Sequence, residues 1–139
     1  MRRGMAVVLP ALGLILGACA GPPVQELSLT AADFSFTPNT LEVTAGVPVR
    51  LTMMNEGTLE HDFSILEMPM ETMAATSVPM EGHDMTAMGE QAQLHMAAAV
   101  GMSNTIEFTP TKPGTYEFFC TVPGHKEAGM VGTMTVHSR

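Results

Sequence analysis

Cys120, His125 and Met130 lie in one stretch, Cys-Thr-Val-Pro-Gly-His-Lys-Glu-Ala-Gly-Met, with four residues in each gap. A thiolate, an imidazole and a thioether are donors that copper accepts, and a trigonal set of one cysteine and two histidines with a weak axial methionine describes a copper site for electron transfer. The loop supplies three of these four donors. The second imidazole must come from elsewhere, and His61, in Asn-Glu-Gly-Thr-Leu-Glu-His-Asp-Phe over residues 55–63, stands where a turn feeds a strand. A lone cysteine at a strand end is ordinarily a small buried hydrophobe, and a lone histidine an ordinary polar residue. The joint spacing, after a separate histidine on a strand, is what points to metal.

On these residues the chain resembles the cupredoxins, the small blue copper proteins. The match is to the rusticyanin and auracyanin type, with its late Cys-x4-His-x4-Met loop, and it covers roughly residues 26–139 apart from an insertion. The aromatic strand before Cys120, the Pro-Gly before His125 and the Gly before Met130 all take part. The resemblance implies one type 1 copper held by His61, Cys120, His125 and Met130. It also implies a loop histidine, His125, whose edge is exposed at an apolar end of the sandwich. There is one departure. Many cupredoxins carry Asn directly after the first histidine, where its side chain ties that strand to the cysteine loop, and this chain has Asp62. A carboxylate there can accept from the Thr121 hydroxyl or from a backbone N–H.

Strands must position these donors, and the sequence supplies them. Gly114 to Cys120 and Gly129 to Val136 frame the loop, and both alternate and are rich in aromatic or β-branched residues. Upstream, Glu26–Thr30, Leu41–Val43, Val47–Asn55 and Thr105–Phe108 read as further strands punctuated by Gly and Pro. Pro48 suits the start or edge of a strand rather than its centre. By period two, His61, Phe63 and Ile65 share one face, so His61 points into the sandwich with core residues below it. Many short strands and no long helix predict an all-β fold, an antiparallel Greek-key β-sandwich with a Met-rich insertion.

Residues 1–18 form a separate unit. Arg2 and Arg3 open a basic region, Met5 to Leu16 are mostly apolar, and Leu-Gly-Ala leads to Cys19, so the segment reads as a secretory signal peptide. The Leu-Gly-Ala-Cys ending resembles a bacterial lipobox, in which Cys19 would carry lipid and begin the mature chain. An ordinary signal with an incidental cysteine is the other reading. Residues 19–25 would be a stiff, lipid-anchored tether and 26–139 the copper domain. The chain has 2 cysteines; with one at a lipid-bearing terminus and one in the ligand loop, no structural disulfide is expected.

From about residue 67 to 102 the strand rhythm breaks. This stretch holds Met68, Met70, Met73, Met80, Met85, Met88, Met96 and Met102 with His83 and His95, and it has no Lys or Arg. Residues 91–96 suggest a strand returning to the sandwich, leaving roughly 68–89 as a long loop, of a length that is usually functional or disordered. Thioethers select Cu(I), which suggests copper handling. Methionine is also an adaptable filler over irregular apolar surfaces, which suggests a pliable lid, and the uneven spacing favours the lid.

Once Arg2 and Arg3 leave with the signal, 4 basic residues face 14 acidic ones, a formal balance of −10. With no basic patch and no nucleic-acid motif, that class is set aside. Acidity suits both solubility and steering toward a basic docking surface. The expectation is an exported, periplasmic or cell-surface protein, lipid-tethered at Cys19, that carries single electrons between redox partners through one copper. Pro123, Gly124, Ala128, Gly129 and Val131 would form the docking face. A Cu(I) carrier using the Met-rich insertion is the alternative. An enzyme of the multicopper kind needs more histidine clusters than His83, His95 and His137 can supply.

Overall fold

The computed structural model describes residues 23–75 and 92–139, so Cys19, the signal segment and His83 lie outside the described residues. The described chain is all-β: β1 (Gln25–Ala32), β2 (Ser35–Thr37), β3 (Thr40–Thr44), β4 (Val49–Asn55), β5 (His61–Ile65), β6 (Met70–Ala75), β7 (Leu94–Ala98), β8 (Ser103–Pro110), β9 (Gly114–Phe119) and β10 (Val131–His137). They form two five-stranded sheets, in the order β2-β1-β4-β8-β6 and β3-β10-β9-β5-β7.

The sandwich is as expected, but the pairing is mixed rather than wholly antiparallel. β1 runs parallel to β4 and β3 parallel to β10. After the β1–β2 hairpin the chain crosses to the other sheet as β3 and returns as β4 beside β1, and such a crossover brings strands together in the same direction. Local sequence carries no sign of it. Pro48 lies just before β4, a central strand, and its carbonyl accepts from the Gln25 amide.

The second difference lies in the insertion. Met70–Ala75 is not loop but strand β6, closing the edge of the first sheet against β8 with an irregularity between Met70 and Met73. Met68 and Met96 are fully buried core residues and the partly buried Met70 packs against the core, whereas Met102 is exposed. So part of the methionine supply is packing material, as suits a flexible side chain in an uneven gap. Met80, Met85 and Met88 lie outside the described residues.

Alternation places the core. Leu51 and Met53 on β4, Ile106 and Phe108 on β8 and Met134 and Val136 on β10 face between the sheets, all but inaccessible. Below the copper-loop end sits an aromatic floor: Phe63 stacks on Phe118 at 4.8 Å, and Phe36 meets Phe118 edge-on at 5.3 Å. Gly132 pairs with Phe118 across β9 and β10. A Cβ there would collide with the Phe118 ring and come within 2.6 Å of the Asn39 carbonyl oxygen. Gly132→Ala is therefore expected to cost about 3 kcal/mol through overpacking. Urea denaturation should show it as a lower midpoint with an unchanged slope.

Candidate metal centre

Two separate pieces of chain, β5 and the loop between β9 and β10, bring the donors together. His61 opens β5, Cys120 follows β9, and His125 and Met130 lie on the loop that leads into β10. β5 is buried along its whole length, because His61, Phe63 and Ile65 face the core while Asp62 and Ser64 are covered on the other side. The registers His61↔Ala98 and Ser64↔Phe119 fix the strand between β7 and β9.

The loop is closed by its own backbone. The Cys120 amide donates to the Met130 carbonyl at 3.2 Å, the Met130 amide to the His125 carbonyl at 3.0 Å, and the His125 amide to the Val122 carbonyl at 3.0 Å. Gly124 and Gly129, each directly before a donor residue, take φ of 84° and 104°, a region that strains other residues. On the outside, Lys126 Nζ lies 2.6 Å from Glu117 Oε1 and 3.8 Å above the Phe119 ring, joining the loop to β9.

The donors converge. His61 Nδ1 lies 3.2 Å from His125 Nδ1, and His125 Nδ1 lies 3.5 Å from Cys120 Sγ. One ligand atom from each of His61, Cys120 and His125 falls within 4.8 Å of the others, and all three residues are buried. Met130 is also fully buried and packs in the same cluster as Cys120. Among the described residues this is the one group of at least three such side chains that could hold a metal ion. Two ring nitrogens facing each other at 3.2 Å cannot both carry a proton there, so at least one presents a lone pair, and both lie beside a sulfur. This donor set fits one type 1 copper.

Burial first, and the charge of Asp62 second, push the Cys120 thiol up to about 12, so without metal it is protonated. Burial first, and His61 second, hold the His125 imidazole below its usual range, which keeps it neutral and able to ligate.

Asp62 does what the sequence suggested and more. It accepts from the Thr121 amide at 2.9 and 3.1 Å, from the Thr121 hydroxyl at 2.8 Å and from the Ser64 hydroxyl at 2.9 Å. Its own amide donates to Cys120 Sγ at 3.5 Å. Since the Ser64 proton points at Asp62, the 2.8 Å contact between Ser64 Oγ and His95 Nδ1 is donated by His95. The network runs from the loop through β5 to β7.

Three contributors escaped the sequence reading. Asn55 is buried at the end of β4; its amide donates to the Leu59 and Ala98 carbonyls at 2.8 Å each, and its oxygen accepts from the Gly57 amide at 2.9 Å. It thereby shapes the turn that delivers His61. Asp33 reaches His61 Nε2, and the Phe34 ring meets His125 edge-on at 5.2 Å. Phe34 covers the loop histidine, and His125 is only 4% exposed, so the expected open edge is largely closed. A turn residue that acts through tertiary contact leaves no periodic signal.

Known proteins match this picture. The chain is 30% identical to the copper-resistant cuproprotein CopI of Pseudomonas aeruginosa, with 97% of each chain covered. It is 36% identical to the copper-resistant cuproprotein CopI of Rubrivivax gelatinosus over 73% of this chain and 59% of that protein. Auracyanin-B of Chloroflexus aurantiacus is 29% identical over 82% of this chain and 53% of its own. Among solved structures, dithionite-reduced auracyanin from Roseiflexus castenholzii superposes with a TM-score of 0.62 at 23% identity, covering 84% of this chain and 99% of that one. An auracyanin B structure gives 0.63 at 22% identity, covering 85% and 91%; both likenesses show the fold. The cupredoxin-like domain matches residues 6–136, nearly the whole chain, and the protein belongs to that family.

Proposed function

We propose that this protein carries single electrons through one copper ion bound by His61, Cys120, His125 and Met130, and that it is not an enzyme. The observation that carries the reading is the convergence of two Nδ1 atoms and one buried thiol on a point closed off by the β5 strand and the 120–130 loop. Bound copper supplies the one-electron exchange between Cu(II) and Cu(I). The chain supplies rigidity: Cys120 is held by the Asp62 amide, the loop by its backbone bonds and Asp62 by Thr121 and Ser64. A donor set fixed from both sides moves little when the charge changes, which keeps transfer fast. Against catalysis, His95 is engaged with Ser64 and His137 lies 3.5 Å from Glu42, so neither joins a second cluster among the described residues. Cyclic voltammetry tests the reading: one reversible one-electron wave per protein is expected, and an irreversible or multi-electron response would overturn it.

Electrons would pass through the His125 side. Pro123, Gly124, Ala128 and Gly129 are exposed there and Val131 is half-exposed. Phe34 against His125 and Leu59 next to Thr58 add exposed apolar surface. An apolar face within a chain of net negative charge suits a redox protein with an apolar docking spot and a basic rim.

A second reading, copper handling in copper tolerance, is favoured by the two relatives named as copper-resistant cuproproteins. Because β6 belongs to the sandwich, a deletion that tests it must spare Met68 and Met70–Ala75 and remove only residues 76–91. Cu(I) titration of a Cys120→Ser variant against a competing chelator should show no tight second site with or without that segment. Tight binding that vanishes with the deletion would make copper buffering a further function.

The Leu-Gly-Ala-Cys ending at Cys19 supports a location in the cell envelope with a lipid anchor on that cysteine. Mass spectrometry of the mature N-terminus from the native cell should find acyl chains on Cys19; a soluble, unmodified terminus would remove the anchor and leave the copper site untouched.

A further inference from the structure

The β1–β2 turn, Asp33-Phe34, embraces both histidines. Asp33 Oδ1 lies 3.4 Å from Nε2 of His61, the ring nitrogen turned away from the other donors, and Phe34 lies edge-on to His125. Phe34 is the one non-glycine residue at positive φ among those described, at 64°. An aromatic residue in that region is sterically costly, and such strain persists where surrounding contacts impose it. The carboxylate is itself held: the Thr58 amide donates to Oδ1 at 2.8 Å and the Thr58 hydroxyl to Oδ2 at 2.7 Å. Room for the contact comes from Gly57, where a Cβ would fall 2.6 Å from both Asp33 Oδ1 and His61 Nε2. Three residues on two loops, Asp33, Gly57 and Thr58, are thus fitted around one ring nitrogen.

We infer that Asp33 is a positioning residue for the copper ligand His61: it accepts a hydrogen bond from Nε2–H, fixes the ring with Nδ1 free to ligate, and places a negative charge one imidazole away from the metal. A ligating histidine that donates its other N–H to a carboxylate becomes a stronger donor. Both the stronger donor and the extra charge favour Cu(II) over Cu(I). This inference rests on the copper reading above, and deepens it by assigning part of the potential to a residue that is not a ligand.

The test compares wild type, Asp33→Asn and Asp33→Ala as full-length protein. Wild type must first show the thiolate-to-copper absorption, so failure of the copper reading is recognised before any Asp33 variant is judged. Asn keeps an acceptor and loses the charge. It is expected to shift the Cu(II)/Cu(I) affinity ratio about tenfold toward Cu(I), seen as a rise of about 59 mV in potential. In the metal-free protein, 15N NMR of the His61 ring should report the Nε2–H tautomer in wild type and Asp33→Asn and a mixture in Asp33→Ala. An Asp33→Asn affinity ratio within twofold of the wild-type ratio would overturn the inference, as would a wild-type His61 protonated on Nδ1. Should Asp33→Ala fail to fold, the isosteric Asn variant still decides by both readouts.

Discussion

Cys120→Ser should abolish the intense visible absorption of the copper protein and weaken copper binding by more than about 100-fold, beyond what loss of an outer hydrogen-bond partner costs. The sulfur is the soft, charge-donating member of the set, and a serine hydroxyl at neutral pH supplies neither property. The fold should persist, since the substitution is nearly isosteric and Asp62 stands ready to accept from the new hydroxyl. Calorimetry in buffers of different ionisation enthalpy gives an independent check. With the thiol held up to about 12 in the metal-free protein, Cu(II) binding at pH 7 should release about one proton from Cys120. His125, whose range is lowered, is already neutral and adds none. The serine variant should release almost none.

Replacing Asp62 should have the largest effect on stability and a separate one on potential. Asp62→Ala removes the acceptor for the Thr121 amide, the Thr121 hydroxyl and the Ser64 hydroxyl, all in a buried setting. Buried hydrogen bonds to a charged group contribute about 1.5–3 kcal/mol each, and these are coupled, so a loss of about 4 kcal/mol is expected. Asp62→Asn keeps the shape and an acceptor oxygen, at the cost of turning an NH2 group toward donors. It should destabilise less and, by removing a negative charge beside the thiolate, raise the potential by on the order of 100 mV. Urea unfolding of the metal-free variants separates the first effect from voltammetry of the loaded ones. An Asp62→Ala variant as stable as wild type would show that the carboxylate does not tie β5 to the loop.

Much of this was legible in the residues. The loop donors are local in sequence, and alternation on His61, Phe63 and Ile65 gives the direction in which the second imidazole points. The pairing of Asp62 with Thr121 follows from a carboxylate standing where an amide acceptor is usual. The parallel pairs β1·β4 and β3·β10 were not legible, because strand direction in a sheet is a property of the crossover and not of the strand. β6 was missed for a different reason. Met-Glu-Thr-Met-Ala-Ala is poor in β-branched and aromatic residues and sits at a sheet edge, where pairing with β8 and not propensity makes the strand. Asp33, Phe34 and Asn55 act across 28, 91 and 43 residues of sequence on His61, His125 and Ala98. No window along the chain contains both ends of such a contact.

The most direct test of the central claim is the absorption and EPR spectrum of the protein loaded with one equivalent of copper. A single type 1 site at His61, Cys120, His125 and Met130 predicts strong visible thiolate-to-Cu(II) charge transfer and a narrow copper hyperfine splitting, saturating at one copper per chain. Weak visible bands with a wide hyperfine splitting, or saturation only beyond one copper, would contradict it.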